Sequence, residues 1–262
     1  MAPQTLPAFL KTDARCILDA WAVRKEDVFA FFQSPQPFEA MPIWLDATHT
    51  YMPMGPMSRL FEPITLGGVT LTNRIAVSPM CQYSAENGSA SDWHLQHLGS
   101  LSLSGAGLLV VEQTAVEPIG RISHGCLGLY SDANEAALTG AVALCRRSDP
   151  IRLGIQLAHA GRKASAKIPW QGGGPLAGDA GAWETVAPSA IPFDKSWPVP
   201  RSLDEADLAR IRDAHAQSAK RADRLGFDLV ELLGAHGFLL HSFLSPIANR
   251  RSDAYGSRGV PN

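Results

Sequence analysis

The sequence predicts an α/β fold in which a parallel sheet is covered by helices, and three observations lead there. Near-continuous apolar runs, such as residues 107–116 and 151–159, alternate with amphipathic stretches of helical period. Polar and reactive residues gather just after each apolar run. No GxGxxG follows the first run, although an open dinucleotide-binding sheet should carry one between its first strand and helix. Functional residues collected at the C-terminal ends of successive strands suit the (β/α)8 or TIM barrel instead.

Residues 1–57 read as an N-terminal extension: one amphipathic stretch around 16–32, then text rich in Pro and Met, PQPFEAMPIW and YMPMGPM. Met54 and Met57 stand directly before the regular text, so a translation start there is expected as readily as a functional extension. Residues 58–262 are expected to hold a β-hairpin and four β/α units. Two short β-prone runs flank Gly67-Gly68, a pair that permits a tight hairpin turn. A strand over 74–79, a helix over 92–104, a strand over 107–116, a helix over 131–147 and a strand over 151–159 follow. After a long loop, residues 202–225 form a helix that opens with a capping box of Ser202 and Glu205. It aligns Leu208, Ile211, Ala222 and Leu225 on one face and ends at Gly226. The fourth strand is FDLVELL, residues 227–233.

Composition narrows the function. The chain of 262 residues is 45% apolar and 18% charged, with 23 basic against 25 acidic residues and no basic block, which argues against nucleic acid and anionic membrane as partners. No signal peptide opens it, and no apolar run approaches the roughly 18 residues of a membrane span, so a cytoplasmic protein is expected. Cys16, Cys81, Cys126 and Cys145 lie far apart without a CxxC pair, which suits reduced thiols better than disulfides or zinc.

The strand ends carry the candidate chemistry. The first offers Ser78, Pro79, Met80 and Cys81 with Tyr83 beyond; the second Glu112, Gln113, Thr114 and Ala115; the third Gln156 to His159; the fourth Gly234, Ala235 and His236. Singly, each has a structural explanation, as a small buried thiol, a satisfied amide or a packed imidazole. Their recurrence at corresponding places favours one shared site. Hydrolysis is disfavoured, because neither a GxSxG elbow nor a cysteine-protease signature is present. His94 and His97, in HLQH, lack the glutamate of HExxH and read as structural, and no metal is expected. An isoalloxazine ring needs hydrogen bonds at its pyrimidine edge, a small residue beside it and a polarizable neighbour, roles that Gln156, Ala115 and Cys81 suit.

Taken in order, RLFEPITLGGVTLTNRIAVSPMCQYSAENG, VVEQTAVEPIGRIS, GIQLAHAGRKAS, the Trp-Pro loop and HGFLLHSFLSPIANRRSDAYG resemble the old yellow enzyme family, in its bacterial branch with a cysteine over the flavin. The resemblance implies non-covalent FMN at the barrel mouth, reduced by NADPH and reoxidised by a small activated alkene such as an enone. It lays the backbone of Ser78, Pro79, Met80 and Cys81 along the flavin, with Ala115 and Gln156 touching the ring. Cys81 would tune its potential, Tyr83 would hydrogen-bond in the substrate pocket, and His236 would hold the substrate carbonyl. Two positions depart from the family pattern: Leu233 stands where a second carbonyl-binding histidine is expected, and Phe238 where a proton-donating tyrosine is. After Tyr255-Gly256 the chain reads SRGVPN, so a C-terminally truncated half-barrel is expected. The alternatives are a non-catalytic remnant and a half-barrel that pairs in a homo-oligomer.

Overall fold

The glycine pair does what the sequence asks of it. In the computed structural model, which describes residues 58–148 and 151–256, Gly67 takes φ 56 and turns β1 (Ile64–Leu66) antiparallel onto β2 (Val69–Leu71), with Ile64 opposite Leu71. The extension expected over 1–57 lies outside the described residues.

Three apolar runs and one shorter strand form the main sheet: β3 (Ala76–Val77), β4 (Leu108–Ala115), β5 (Arg152–Ala158) and β8 (Leu229–Leu232), all parallel and in chain order. Every residue of β4 is buried, which suits its apolar first half, Leu108–Val111, and leaves Glu112, Gln113 and Thr114 as buried polar groups at its end. Between the strands run α1 (Asp92–Ser102), α2 (Asp132–Ser148) and α3 (Glu205–Leu225); α4 (Leu239–Leu244) follows β8.

The two faces of the sheet are covered differently. Leu109, Val111, Leu153, Ile155 and Leu157 pack with Leu98 of α1, Leu138 and Val142 of α2, and Ala222 of α3. Leu108 and Val110, one residue out of phase, meet Leu71, Ile64 and Val69 of the hairpin. The three long helices thus share one face while the strands keep chain order. That is the arrangement of a barrel wall; a doubly wound sheet places helices on both faces. Among the described residues, no helix is long and apolar enough to cross a membrane.

The start of α3 corrects the sequence reading. Its N-cap is Asp204, whose carboxylate accepts the Asp207 N–H at 2.8 Å while Asp207 accepts the Asp204 N–H at 3.3 Å. Ser202 instead belongs to β7 (Arg201–Ser202), which pairs in parallel with β6 (Val186–Ala187). The Ser202–Glu205 spacing fits a capping box, but sheet pairing already holds Ser202 extended. The other end is as expected: Gly226, at φ 87, closes the helix with a left-handed turn.

Candidate active site

Pro79 has no N–H to extend the ladder, so β3 stops and the chain enters the loop that carries Cys81 and Tyr83. Met80 is about half exposed, at 51%, at the head of this loop. Tyr83 sits at φ 52, an uncommon conformation for a bulky residue. Two neighbours hold it there. The Trp170 ring meets it edge to face at 5.6 Å, and Gly125 approaches so closely that a Cβ would fall 2.4 Å from the Tyr83 carbonyl oxygen. The Cys81 thiol lies beside the Tyr83 hydroxyl and the Gln113 backbone, with Cys126 and Glu112 nearby. Burial first, then Cys126 and Glu112, push the thiol up to about 12, and burial likewise raises the Tyr83 phenol. Both are neutral at physiological pH.

A β-bulge shapes the second strand end. Val111 pairs with Ile155 and Thr114 with Leu157, so Glu112 and Gln113 together face the single residue Gln156. Glu112 accepts the Gln82 N–H at 2.9 Å. Gln113 is 2% exposed, and neither its side-chain oxygen nor its nitrogen has a partner. Ala115 has no exposed surface, and its backbone is tied to Leu127 and Leu129. Gln156 donates to Glu231 of β8 at 2.8 Å, which gives the one carboxylate within Leu229–Leu232 a partner.

His159, at the third strand end, turns away from any opening. Its Nε2 meets Glu117 at 2.8 Å, and Glu117 also pairs with Arg210 of α3. Its Nδ1 accepts the Gly161 N–H at 2.9 Å, so the ring is held as the Nε2–H tautomer and burial drives its pKa down to about 3. His159 therefore anchors the helix to the strand ends. His236, by contrast, is exposed, at φ 59, with its carbonyl oxygen bound by Lys163 at 2.8 Å. The Lys163 ammonium also lies 4.7 Å and 4.9 Å from the Phe193 and Phe238 ring centroids. Leu233 and Phe238 are buried against Ala158, Ala160 and Ala164. The two departures from the family pattern are thus accommodated by an apolar cluster.

The structure brings Cys81, Tyr83, Glu112 and Gln113 together, and places Gln156 on the adjoining strand. His236 comes from β8's far loop, tied to the β5 end through Lys163. His94 and His97 are on α1, as the sequence reading has them. His94 shares a capping arrangement with Ser91, and burial lowers the His97 pKa. Sequence reasoning gave no role to Gln113, Lys163, Trp170 or Glu231. A charge inside an apolar strand was the available signal for Glu231; the others depend on contacts between segments distant in sequence.

Do these residues suit a flavin? The unpaired carboxamide of Gln113 supplies both a donor and an acceptor, as a pyrimidine edge requires, and the neutral Cys81 thiol is a polarizable neighbour. A recess of about 170 Å³ lies beside Tyr83, lined by His124, Gly125, Lys167 and Gln171 among others. Pockets for small molecules run to about 300–1,000 Å³, so the described residues fit one wall of such a site.

Residues 59–261 match the model of the NADH:flavin oxidoreductase / NADH oxidase family. The chain is 44% identical over 203 residues to an NADH:flavin oxidoreductase of Gibberella zeae, covering 76% of this chain and 49% of that protein. It is 42% identical over 199 residues to an NADPH dehydrogenase of Geobacillus thermodenitrificans, covering 75% and 54%. Among solved structures, morphinone reductase in complex with tetrahydroNAD superposes with TM-score 0.65 at 28% identity, over 76% of this chain and 55% of that one. Old Yellow Enzyme from Pichia sp. gives 0.67 at 26% identity, over 76% and 52%. The chain spans about half the length of the relatives it matches. With sheet order and sequence in agreement, this chain belongs to the NADH:flavin oxidoreductase / NADH oxidase family, the family of old yellow enzyme.

Proposed function

We propose that the chain contributes the FMN-facing strand ends of an NAD(P)H-dependent oxidoreductase that reduces the C=C bond of small activated alkenes. The observation that carries this reading is the Cys81–Tyr83–Gln113 cluster at adjoining strand ends, with a neutral thiol, a neutral phenol and an unpaired amide. FMN, when bound, supplies hydride transfer between NAD(P)H and the β-carbon of the alkene. The chain's residues do the remainder. The loop from Ser78 to Cys81 lies along the ring, and Gln113 and Gln156 address its polar edge. Tyr83 donates to what stacks above, and His236 donates to the substrate carbonyl, where negative charge develops. The four strands described here correspond to four of a barrel's eight.

A second reading, a chain that does not turn over, draws on Leu233 and Phe238. Apolar side chains fill the positions from which a second carbonyl donor and a general acid would act. Removing one oxyanion donor costs on the order of 10²–10³ in rate and a general acid about 10²–10⁴. One experiment separates the readings: purification with added FMN, an absorbance spectrum, then anaerobic NADPH and an enone. A yellow product that bleaches with NADPH and recolours with the enone supports the first. Bound flavin that never recolours supports the second, and a colourless protein sinks the flavin assignment.

A further inference from the structure

The peptide joining His236 to Gly237 is held at both of its polar ends. Its carbonyl oxygen accepts from the Lys163 ammonium at 2.8 Å, and its N–H donates to Nδ1 of His241 on α4 at 2.7 Å. The turn around it, closed by the Phe238 N–H on the Ala235 carbonyl at 3.2 Å, has φ 59 at His236 and φ 78 at Gly237. Positive φ at both central residues is easy for glycine and uncommon for histidine, so the turn depends on outside contacts to keep His236 in that conformation. Lys163 is the contact that comes from another strand end, 73 residues away in the chain. Its own place is built from the same segment. His159 Nδ1 accepts the Gly161 N–H at 2.9 Å, and Arg162 donates to the Ile191 and Pro192 carbonyls at 3.2 and 3.1 Å, which carries Phe193 over Lys163. The ammonium then lies 4.7 Å from the Phe193 ring centroid and 4.9 Å from that of Phe238. Burial, then the Arg162 charge, lowers the lysine pKa from its ordinary value, and the two ring faces and the carbonyl offset that cost.

We propose that Lys163, seated between the Phe193 and Phe238 rings, is the positioning residue of His236: it locks the peptide after His236 and so fixes the point from which the imidazole projects. The inference deepens the flavin reading, in which His236 donates to the substrate carbonyl, and rests on it for its functional meaning. An imidazole on a turn free to flip spends part of its time aimed elsewhere, and a donor stabilises the transition state only from the place where charge develops. Phe238, standing where the family pattern expects a tyrosine, supplies one wall of the lysine's seat.

Amide hydrogen exchange on the full chain, followed by mass spectrometry over peptides that span Gly237 and Phe238, reads the lock without flavin. Lys163→Met keeps the bulk of the stem and removes the charge, so the Gly237 and Phe238 amides should exchange about two- to tenfold faster, as for the loss of one hydrogen bond. Phe193→Leu, which removes one wall at a partly exposed position, should speed them about two- to fivefold. Lys163→Arg, which keeps a cation able to donate to the carbonyl and to stack on the rings, should stay within about twofold of the parent. In protein loaded with FMN, Lys163→Met should slow recolouring by an enone about two- to tenfold, and Lys163→Arg should restore it. Unchanged exchange in Lys163→Met or in Phe193→Leu overturns the proposal, as does exchange in Lys163→Arg as fast as in Lys163→Met. Faster exchange that extends to β4 and β5 also overturns it, since the lysine would then be holding the fold at large. Recolouring unchanged in Lys163→Met beside faster exchange overturns the positioning role. A colourless protein sinks the flavin reading alone, and the exchange rates still decide whether Lys163 locks the turn.

Discussion

Gly125 shows how a single residue can govern the candidate site without touching a ligand. Its backbone passes under Tyr83, and an added Cβ would lie 2.4 Å from the carbonyl oxygen and 3.1 Å from Cα of that residue. Both obstacles are backbone atoms, so no side-chain rotation relieves them. Gly125→Ala should lower stability by about 1–3 kcal/mol, the usual cost of overpacking. Because Tyr83 must move, it should also weaken the Trp170 edge contact. A urea midpoint equal to the parent's, with unchanged tryptophan fluorescence, would show that the loop has slack. The composition records 23 glycines, and nothing in the text distinguishes this one. Cys81 and Tyr83 were legible because they follow an apolar run directly. Gln113 was legible only as a strand-end residue, because its isolation from partners is a fact of packing.

At the level of elements, the hydrophobic period located every strand of the main sheet and the three long helices. The errors fell where short polar segments decide. Ser202 and Asp204 compete for the same helix start, and the parallel pairing of β6 with β7 assigns Ser202 to the sheet. Asp204→Ala should therefore cost about 1 kcal/mol, and Ser202→Ala should change stability by less than about 0.5 kcal/mol. Chemical denaturation of the two variants side by side checks this; equal losses would restore Ser202 as the cap. The β6–β7 pair and the six-residue α4 escaped the sequence reading because each is too short to show a period. The β4 bulge escaped it too, since in a strand buried on both faces no alternation of apolar and polar residues exists for an extra residue to interrupt.

For the molecule as a whole, two buried imidazoles couple folding to pH. Burial holds His159 near 3 and His215 near 4, against an ordinary value of 6.5. Both folded-state values are depressed, so the unfolded chain binds the extra protons. Stability from these groups is complete above pH 6.5 and is lost as the pH falls from there toward 4 and 3. Each contributes a slope of about 1.4 kcal/mol per pH unit within that window. His215 donates to the Ile211 carbonyl at 2.9 Å while its Nε2 has no partner. Its replacement by Leu should remove one of the two protons and flatten the profile between pH 6.5 and 4. Urea titrations at several pH values measure the slope, and a variant as steep as the parent would place the titration elsewhere. Amino-acid order by itself determined the alternation of apolar strands and amphipathic helices, and with it the parallel sheet, because the period of apolar residues dictates which face each element must bury. It also placed reactive side chains after each strand, since that is a matter of position along the chain. Tertiary structure alone decided which of them meet. Ala115 and His159 turn inward, Leu233 and Phe238 close an apolar cluster, and Glu112 reaches His94 and Gln82 across three elements, because burial and partner choice depend on packing between distant segments.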